Sequence, residues 1–473
     1  MHEVHVATTD PKELAKLVGE QRLDQLLGGA ADDLRKALGD RSVVNINAAP
    51  AGGGVAEMLG VLLGYARGAG VDARWVVIEG DEPFFTITKR IHNHLYGAPG
   101  DGGPLGQAEH AHYREIIQRN EAELAAVVKP GDVVILHDPQ PLGMAAALQA
   151  RGAVVVWRCH LGSDGTNEHT ERGWSFLRPY LLHPELAAYV FSRPEFAPPW
   201  LPPEGVRTIP PSIDPFSLKN VAIAADHASA ILTAAGLIGG TTEPVTFLRS
   251  DGSPGRIDHG ADVFRTGPPP GPDVPLVVQV SRWDRLKDMA GVLRAFAEFA
   301  VADHDAHLVL AGPVVSAVAD DPEGAGVLTE CFEAWRSLPH AARVRVQLAC
   351  LPMADGEENA IIVNALQRHA QVVVQKSLAE GFGLTVSEAM FKARPVIASA
   401  VGGIVDQIND GRTGILLGDP ADPVAFGEAL DRLFADARLA RRLGRAGRQH
   451  VIDQFLPDRH LARWSELLVE LRA

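Results

Sequence analysis

Short apolar runs alternating with helix-period segments dominate the chain. SVVNINAA (42–49) is β-branched and apolar, AGGGVAEMLGVLLGYARGAG (51–70) has helical spacing behind a glycine-rich start, and ARWVVIEG (73–80) is apolar again. Strand, helix and strand at this spacing predict a βαβ unit in a parallel sheet. The alternation continues through DVVILHD (132–138), the helical PLGMAAALQA, AVVVWRCH (153–160), the helical 167–182, AAYVFS (187–192) and VRTIPPSIDP (206–215). Proline blocks strand pairing, so the last of these predicts a boundary. A second series runs from PLVVQVSRW (275–283) through AHLVLAGP (306–313), VRVQLACL (344–351), QVVVQKS (371–377) and PVIASA (395–400), with helical segments between them and two helical stretches at the end.

Two regions break the pattern. Residues 1–40 read as short amphipathic helices added to the first domain. Residues 216–273 read as a helix followed by loop over 250–273, with a PPPGP stretch. The expected organisation is an N-terminal Rossmann-like domain over 1–212, with 1–40 as a helical extension. A second such domain covers 213–456, and a C-terminal helix over 457–473 packs back on the first.

Composition narrows the classes. A chain of 473 residues exceeds one hydrophobic core. Fractions of 46% hydrophobic and 22% charged are those of a globular protein. Forty-four basic against fifty-nine acidic side chains give −15, which disfavours nucleic acid and anionic membranes as partners. A phosphate site must then be locally basic or built from backbone N–H groups. The three cysteines lie far apart, without metal-ligand spacing, and their odd number argues against a disulfide framework. No leader pattern and no apolar run of about 18 residues is seen, so a cytoplasmic location is expected. No metal or cofactor is required by any motif, and a homodimer stays open.

Three constellations carry candidate chemistry. Gly52, Gly53 and Gly54 lie between a strand and a helix, where bare backbone and a helix N-terminus suit a phosphate. A plain tight turn is the other reading. GxGxxG and the P-loop lysine are both missing, which weighs against dehydrogenase and ATPase readings. Arg282 and Lys287 follow the first strand of the second series and could neutralise a diphosphate, or be ordinary surface charges. The third constellation is Glu380-Gly381-Phe382-Gly383-Leu384-Thr385-Val386-Ser387-Glu388. It places one carboxylate before a glycine loop and a second on the helix that follows.

The Glu380-to-Glu388 spacing resembles the E-x7-E signature of family 4 of the retaining GT-B glycosyltransferases. GGGVAEML, FFTITKRIHNHLYG, LHDPQP, VVVWRCH, SRWDRLKD and the 375–411 stretch are similar to the trehalose synthase (glycosyl-transferring) group. The resemblance spans about 42–417. It implies an α/β GT-B fold, with two Rossmann-like doubly wound parallel-sheet domains facing a cleft. It also implies transfer of a hexose from a nucleoside-diphosphate sugar to a small sugar, with glucose as the expected acceptor and trehalose as the product.

Residue by residue, the resemblance implies that Glu380 holds hydroxyls of the donor hexose and Glu388 the ribose. Arg282 and Lys287 hold the diphosphate, with N–H groups of Gly53, Gly54, Leu384 and Thr385. Gly52, Gly381, Phe382 and Gly383 complete the donor loops, His160 lies beside the sugar, and His137 and Asp138 contact the acceptor. One departure is Leu161-Gly162, where the group carries an acid two residues after the histidine. The change is expected to open space for a larger or modified sugar or a cyclitol. A disaccharide phosphorylase of the same fold is the nearest rival. A non-catalytic sensor would be marked by loss of the clamp or of Glu380, and a sugar-nucleotide epimerase is disfavoured by EGFG followed by Glu388.

Overall fold

The computed structural model describes residues 1–50, 54–182, 186–241, 243–317 without 301–303, and 323–472. The described residues fall into two compact units. One comprises Met1–Ile213, Glu380–Phe382 and Gln454–Ala473, and the other Asp214–Ala379 and Gly383–Asp453.

The first unit is built on β1 (His2–Val4), β2 (Val43–Asn47), β3 (Ala73–Val77), β4 (Val133–His137), β5 (Val154–Cys159), β6 (Ala188–Phe191) and β7 (Val206–Thr208). Their order in the sheet is β1-β3-β2-β4-β5-β6-β7. All pairings are parallel except β1 with β3, where His2 faces Val77 and Val4 faces Trp75. Both faces are covered, which is why the inner strands read as continuous apolar runs. Alternation sends Val44, Ile46, Val134, Leu136, Val155 and Trp157 into one core. Val43, Val133, Ile135, Val156, Ala188 and Val190 point into the other, against Leu461, Trp464, Leu467 and Leu468 of the helix Pro457–Glu470. The N-terminal helices close this second core through Leu14, Leu26, Leu34 and Leu38.

The second unit holds β10 (Asp262–Phe264), β11 (Leu276–Val280), β12 (His307–Pro313), β13 (Val346–Leu351), β14 (Val372–Gln375), β15 (Val396–Ser399) and β16 (Ile415–Leu417). The order is β10-β13-β12-β11-β14-β15-β16, parallel except for β10 on β13. Its core gathers Val277, Trp283, Phe296, Leu310, Leu348, Val374 and Ile397.

The structure departs from the sequence pattern at short edges. Residues 250–273, read as loop, contain β9 (Pro254–Arg256), which pairs with β8 (Thr246–Leu248), and also the edge strand β10. Helix in the 217–237 stretch is confined to Ala225–Ala234. The extension read as all helix begins with β1. These three-residue strands carry too few side chains to show a period, and neighbouring strands supply their pairing.

Leu468 is 2% exposed and belongs to the core beneath the first sheet. Leu468→Ala is expected to cost about 2–5 kcal/mol, the usual range for a buried leucine. A lower urea midpoint at unchanged slope checks it.

Candidate active site

Each sheet reverses its strand order once, between β2 and β4 in the first unit and between β11 and β14 in the second. At such a point the crossovers leave in opposite directions, and the carboxyl ends of the two strands bound an open crevice. Most of the sequence candidates follow one of these four strands.

In the second unit, β11 runs into Ser281–Lys287. Asp284 is 4% exposed and accepts a hydrogen bond from the Leu286 N–H at 2.8 Å, which closes a tight helical turn over Arg285–Lys287. Gln279 Nε2 donates to the Lys287 carbonyl at 2.7 Å. The loop after β14 is tied to this turn by the Leu378 N–H, which donates to Leu286 O at 2.7 Å. The turn that carries Lys287 is therefore tied to the loop that leads to Gly383. Gly383 sits at φ 84°, a left-handed conformation that glycine tolerates, and caps the helix Leu384–Phe391. The N–H groups of Leu384 and Thr385 begin that helix, and Glu388 lies buried one turn on. Lys392 donates to the Glu388 carbonyl at 3.1 Å, to Asn220 and to Gln367, which locks the end of the helix. Burial lowers the Lys392 pKa, and the Glu388 carboxylate opposes that shift.

Sequence reasoning missed Lys376. It follows β14, is 2% exposed and forms an ion pair with Asp288, a non-glycine residue at φ 47° that caps the helix Met289–Ala295. A lysine directly after an apolar strand was the available signal.

In the first unit, the loop after β2 contains Gly52 and Gly53, which lie outside the described residues. Gly54 opens the helix Gly54–Gly68 and is exposed. Asn47 braces the entry to the loop, accepting from Trp75 Nε1 at 2.8 Å and donating to the Ala49 carbonyl at 2.7 Å. After β4, Asp138 adopts φ 64°, a conformation that costs a non-glycine residue about 1–3 kcal/mol. Three hydrogen bonds hold it there. Its N–H donates to Arg158 O at 2.8 Å, its carbonyl accepts from Trp157 Nε1 at 2.9 Å, and Oδ1 accepts from the His160 N–H at 2.7 Å. Burial raises the Asp138 carboxyl to about 7, against the pull of the His160 N–H and of Arg158. His137 Nδ1 lies 3.1 Å from His160 Nε2, so β4 and β5 bring His137, Asp138 and His160 together.

Glu380, Gly381 and Phe382 group with the first unit. A Cβ on Gly381 would lie 2.6 Å from the Tyr96 hydroxyl and 2.9 Å from His160 O. The close approach that this glycine permits is thus to the Tyr96 side chain and the His160 backbone. Phe382 packs edge-on against Phe455, with centroids 5.5 Å apart.

The expectation that Leu161-Gly162 opens space is corrected. A Cβ at Gly162 would overlap the Phe196 ring, and Leu161 is 5% exposed in the core. The volume lost from the residue 162 side chain is filled by Phe196. The nearest acid along the chain, Asp164, pairs with Arg193.

Comparison with known proteins gives the family. The family model described as "Trehalose synthase, N-terminal domain" matches residues 45–198, and "Glycosyl transferases group 1" matches 264–450. A trehalose synthase from Rubrobacter xylanophilus is 36% identical over 437 residues, covering 92% of this chain and 92% of that one. The chain belongs to the trehalose synthase family of glycosyltransferases. A trehalose phosphorylase from Pleurotus pulmonarius is 26% identical, over 93% of this chain but 58% of its own length. The solved α,α-trehalose 6-phosphate synthase of Burkholderia multivorans shares the GT-B fold, with a TM-score of 0.61 at 15% identity over 91% of this chain and 98% of that one. Among the described residues, no group of three or more His, Cys, Asp or Glu could hold a metal ion, and no helix is long and apolar enough to cross a membrane.

The Asp138 carboxyl gives a stability test. A carboxyl raised from 3.8 to about 7 favours the protonated folded state, so its contribution is full below pH 4 and is lost as pH rises towards 7. Asp138→Asn removes the ionisation. Its unfolding free energy relative to the parent should climb between about pH 4 and 7, by less than ~1.4 kcal/mol per pH unit, and level off below. Urea unfolding across that range reads the difference.

Proposed function

We propose that this protein is a retaining hexosyltransferase that moves glucose from a nucleoside-diphosphate sugar to a small sugar acceptor, with free glucose and trehalose the leading pair. The observation that carries the reading is the junction of the loops after β11 and β14. The Leu378–Leu286 hydrogen bond ties the turn that carries Lys287 to the loop that precedes the glycine-capped helix bearing Glu388. Two cations and a helix N-terminus at a strand-order reversal suit a diphosphate leaving group. A buried glutamate one turn on suits a ribose diol.

The chemistry follows from those groups. A retaining glycosidase uses an acid and a nucleophile across one bond. Glu380 and Glu388, holding hexose and ribose, do not take those parts. Transfer instead proceeds on one face of the sugar. The acceptor hydroxyl attacks the anomeric carbon as the diphosphate departs, and a diphosphate oxygen takes the acceptor proton. Arg282, Lys287 and the N–H groups of Leu384 and Thr385 stabilise the charge that develops on the leaving group. Glu380 and His160 hold the hexose. His137 and Asp138 hold the acceptor, where a fixed carboxylate selects sugars carrying the matching hydroxyls. The Phe196 ring behind Gly162 favours a compact acceptor over an enlarged one.

Arg282→Ala or Lys287→Ala should each lower turnover by ~100-fold or more, the scale of one charge-stabilising donor. Near-parental rates in both would remove the clamp assignment. Calorimetry with a free nucleoside diphosphate divides the glutamates. Glu388→Ala is expected to bind it weakly, and Glu380→Ala as the parent does. Equal binding by the two variants contradicts the division. Asp138→Asn should depress transfer to acceptor more than donor binding, and equal losses in both would count against the acceptor role.

A further inference from the structure

The carboxyl ends of the first unit's strands carry polar side chains on one face. Strand alternation places Asn45, His137, Arg158 and Ser192 in line beyond Val43, Ile135, Val156 and Val190. All four polar residues are buried. Asn45 Oδ1 lies 2.9 Å from His137 Nε2, and His137 Nδ1 lies 3.1 Å from His160 Nε2, with the two rings 16° from parallel.

An amide oxygen only accepts, so His137 Nε2 carries the proton. In a neutral ring Nδ1 is then a lone pair, and His160 Nε2 must donate to it. His160 Nδ1 is left as the acceptor that its ring can offer. We propose that Asn45 and His137 are positioning residues that fix the tautomer of His160, so that His160 Nδ1 accepts a hydroxyl of the bound hexose. The proposal rests on the reading that His160 touches the sugar.

The surroundings hold both rings neutral. The titratable and charged groups around the pair are Arg158 and Cys159 on β5, Asp138 beside His137, and His460 on the C-terminal helix. Burial pushes His137 down to about 3 and His160 well below its usual range, and Arg158 adds to both shifts. Arg158 is 1% exposed, burial lowers its pKa to about 10, and Ser192 Oγ accepts from it at 3.0 Å. His460 is neutral too. Trp464 Nε1 donates to its Nε2 at 3.1 Å, so Nδ1 donates to Ser212 Oγ at 3.0 Å.

Among the described residues, no other hydrogen bond holds the Asn45 side chain. Its Nδ2 has no hydrogen-bond partner among the described residues, and Asn45 lines a cavity of about 50 Å³ together with apolar groups such as Leu62, Ile135 and Leu461. The hydrogen bond to His137 is thus the one side-chain interaction that a substitution at 45 removes.

Two variants and two readouts test the proposal. Long-range proton–nitrogen NMR on protein labelled at histidine nitrogen reads the tautomers, with His160→Gln assigning the His160 signals. The parent should show His160 protonated at Nε2. Asn45→Leu should lose that preference and about tenfold or more in kcat, the scale on which outer partners of a working histidine act. Its affinity for free nucleoside diphosphate should hold, which shows that the fold survives. Asn45→Asp keeps the acceptor oxygen but adds a charge that raises the His137 pKa. A protonated His137 puts a hydrogen on Nδ1 and reverses the relay. Turnover of Asn45→Asp should therefore persist at high pH, where Asn45→Leu lacks it, and fall more steeply than the parent's as pH drops through neutrality.

An unchanged His160 tautomer in Asn45→Leu overturns the relay, as does His160 protonated at Nδ1 in the parent. An Asn45→Asp loss that is equal at every pH also overturns it. A shifted tautomer with unchanged turnover overturns the contact between His160 and the sugar, and separates that failure from failure of the relay.

Discussion

The reversal of strand order within each sheet is the constraint on which the site depends. A parallel sheet must send its crossovers over its faces, and only where successive crossovers leave on opposite sides do two strand ends remain uncovered. In the second unit that place falls between β11 and β14, and one backbone hydrogen bond ties the basic turn after β11 to the loop after β14. Geometry at this junction comes from main-chain contacts and from Asp284.

The first unit places polar groups at the matching strand ends at a cost. Asp138 is held at a positive φ, Arg158 is buried with one neutral partner oxygen, and two histidines are kept far from their ordinary pKa. Each feature opposes stability. The hydrogen bonds from Asn45 to His160 and the two cores that flank the sheet offset the cost. Such strain belongs where a site has to be rigid before its ligand arrives.

Much of this was legible in the sequence, because strands buried on both faces must be apolar runs and the glycine loops break them at fixed places. SVVNINAA, DVVILHD, AVVVWRCH and PLVVQVSRW all became strands close to the expected bounds. The three-residue edges β1, β8, β9 and β10 were not legible, since their pairing is tertiary. Gly162 was misread because sequence shows a missing side chain but not the Phe196 ring that fills its place. Asn45 and Arg158 interrupt runs that are otherwise largely apolar. Their shared face emerges only when alternation is counted across four strands at once. Lys376 stood directly after its strand, and its partner Asp288 lay 88 residues away.

Nucleotide-dependent transfer with retention is the claim at the centre. Proton NMR of a reaction containing a nucleoside diphosphate α-glucose and free glucose follows the anomeric signal and the phosphorus product together. The account predicts an α,α-linked disaccharide appearing in step with nucleoside diphosphate. A β-configured product, or disaccharide turnover that requires inorganic phosphate and releases no nucleoside diphosphate, would contradict it.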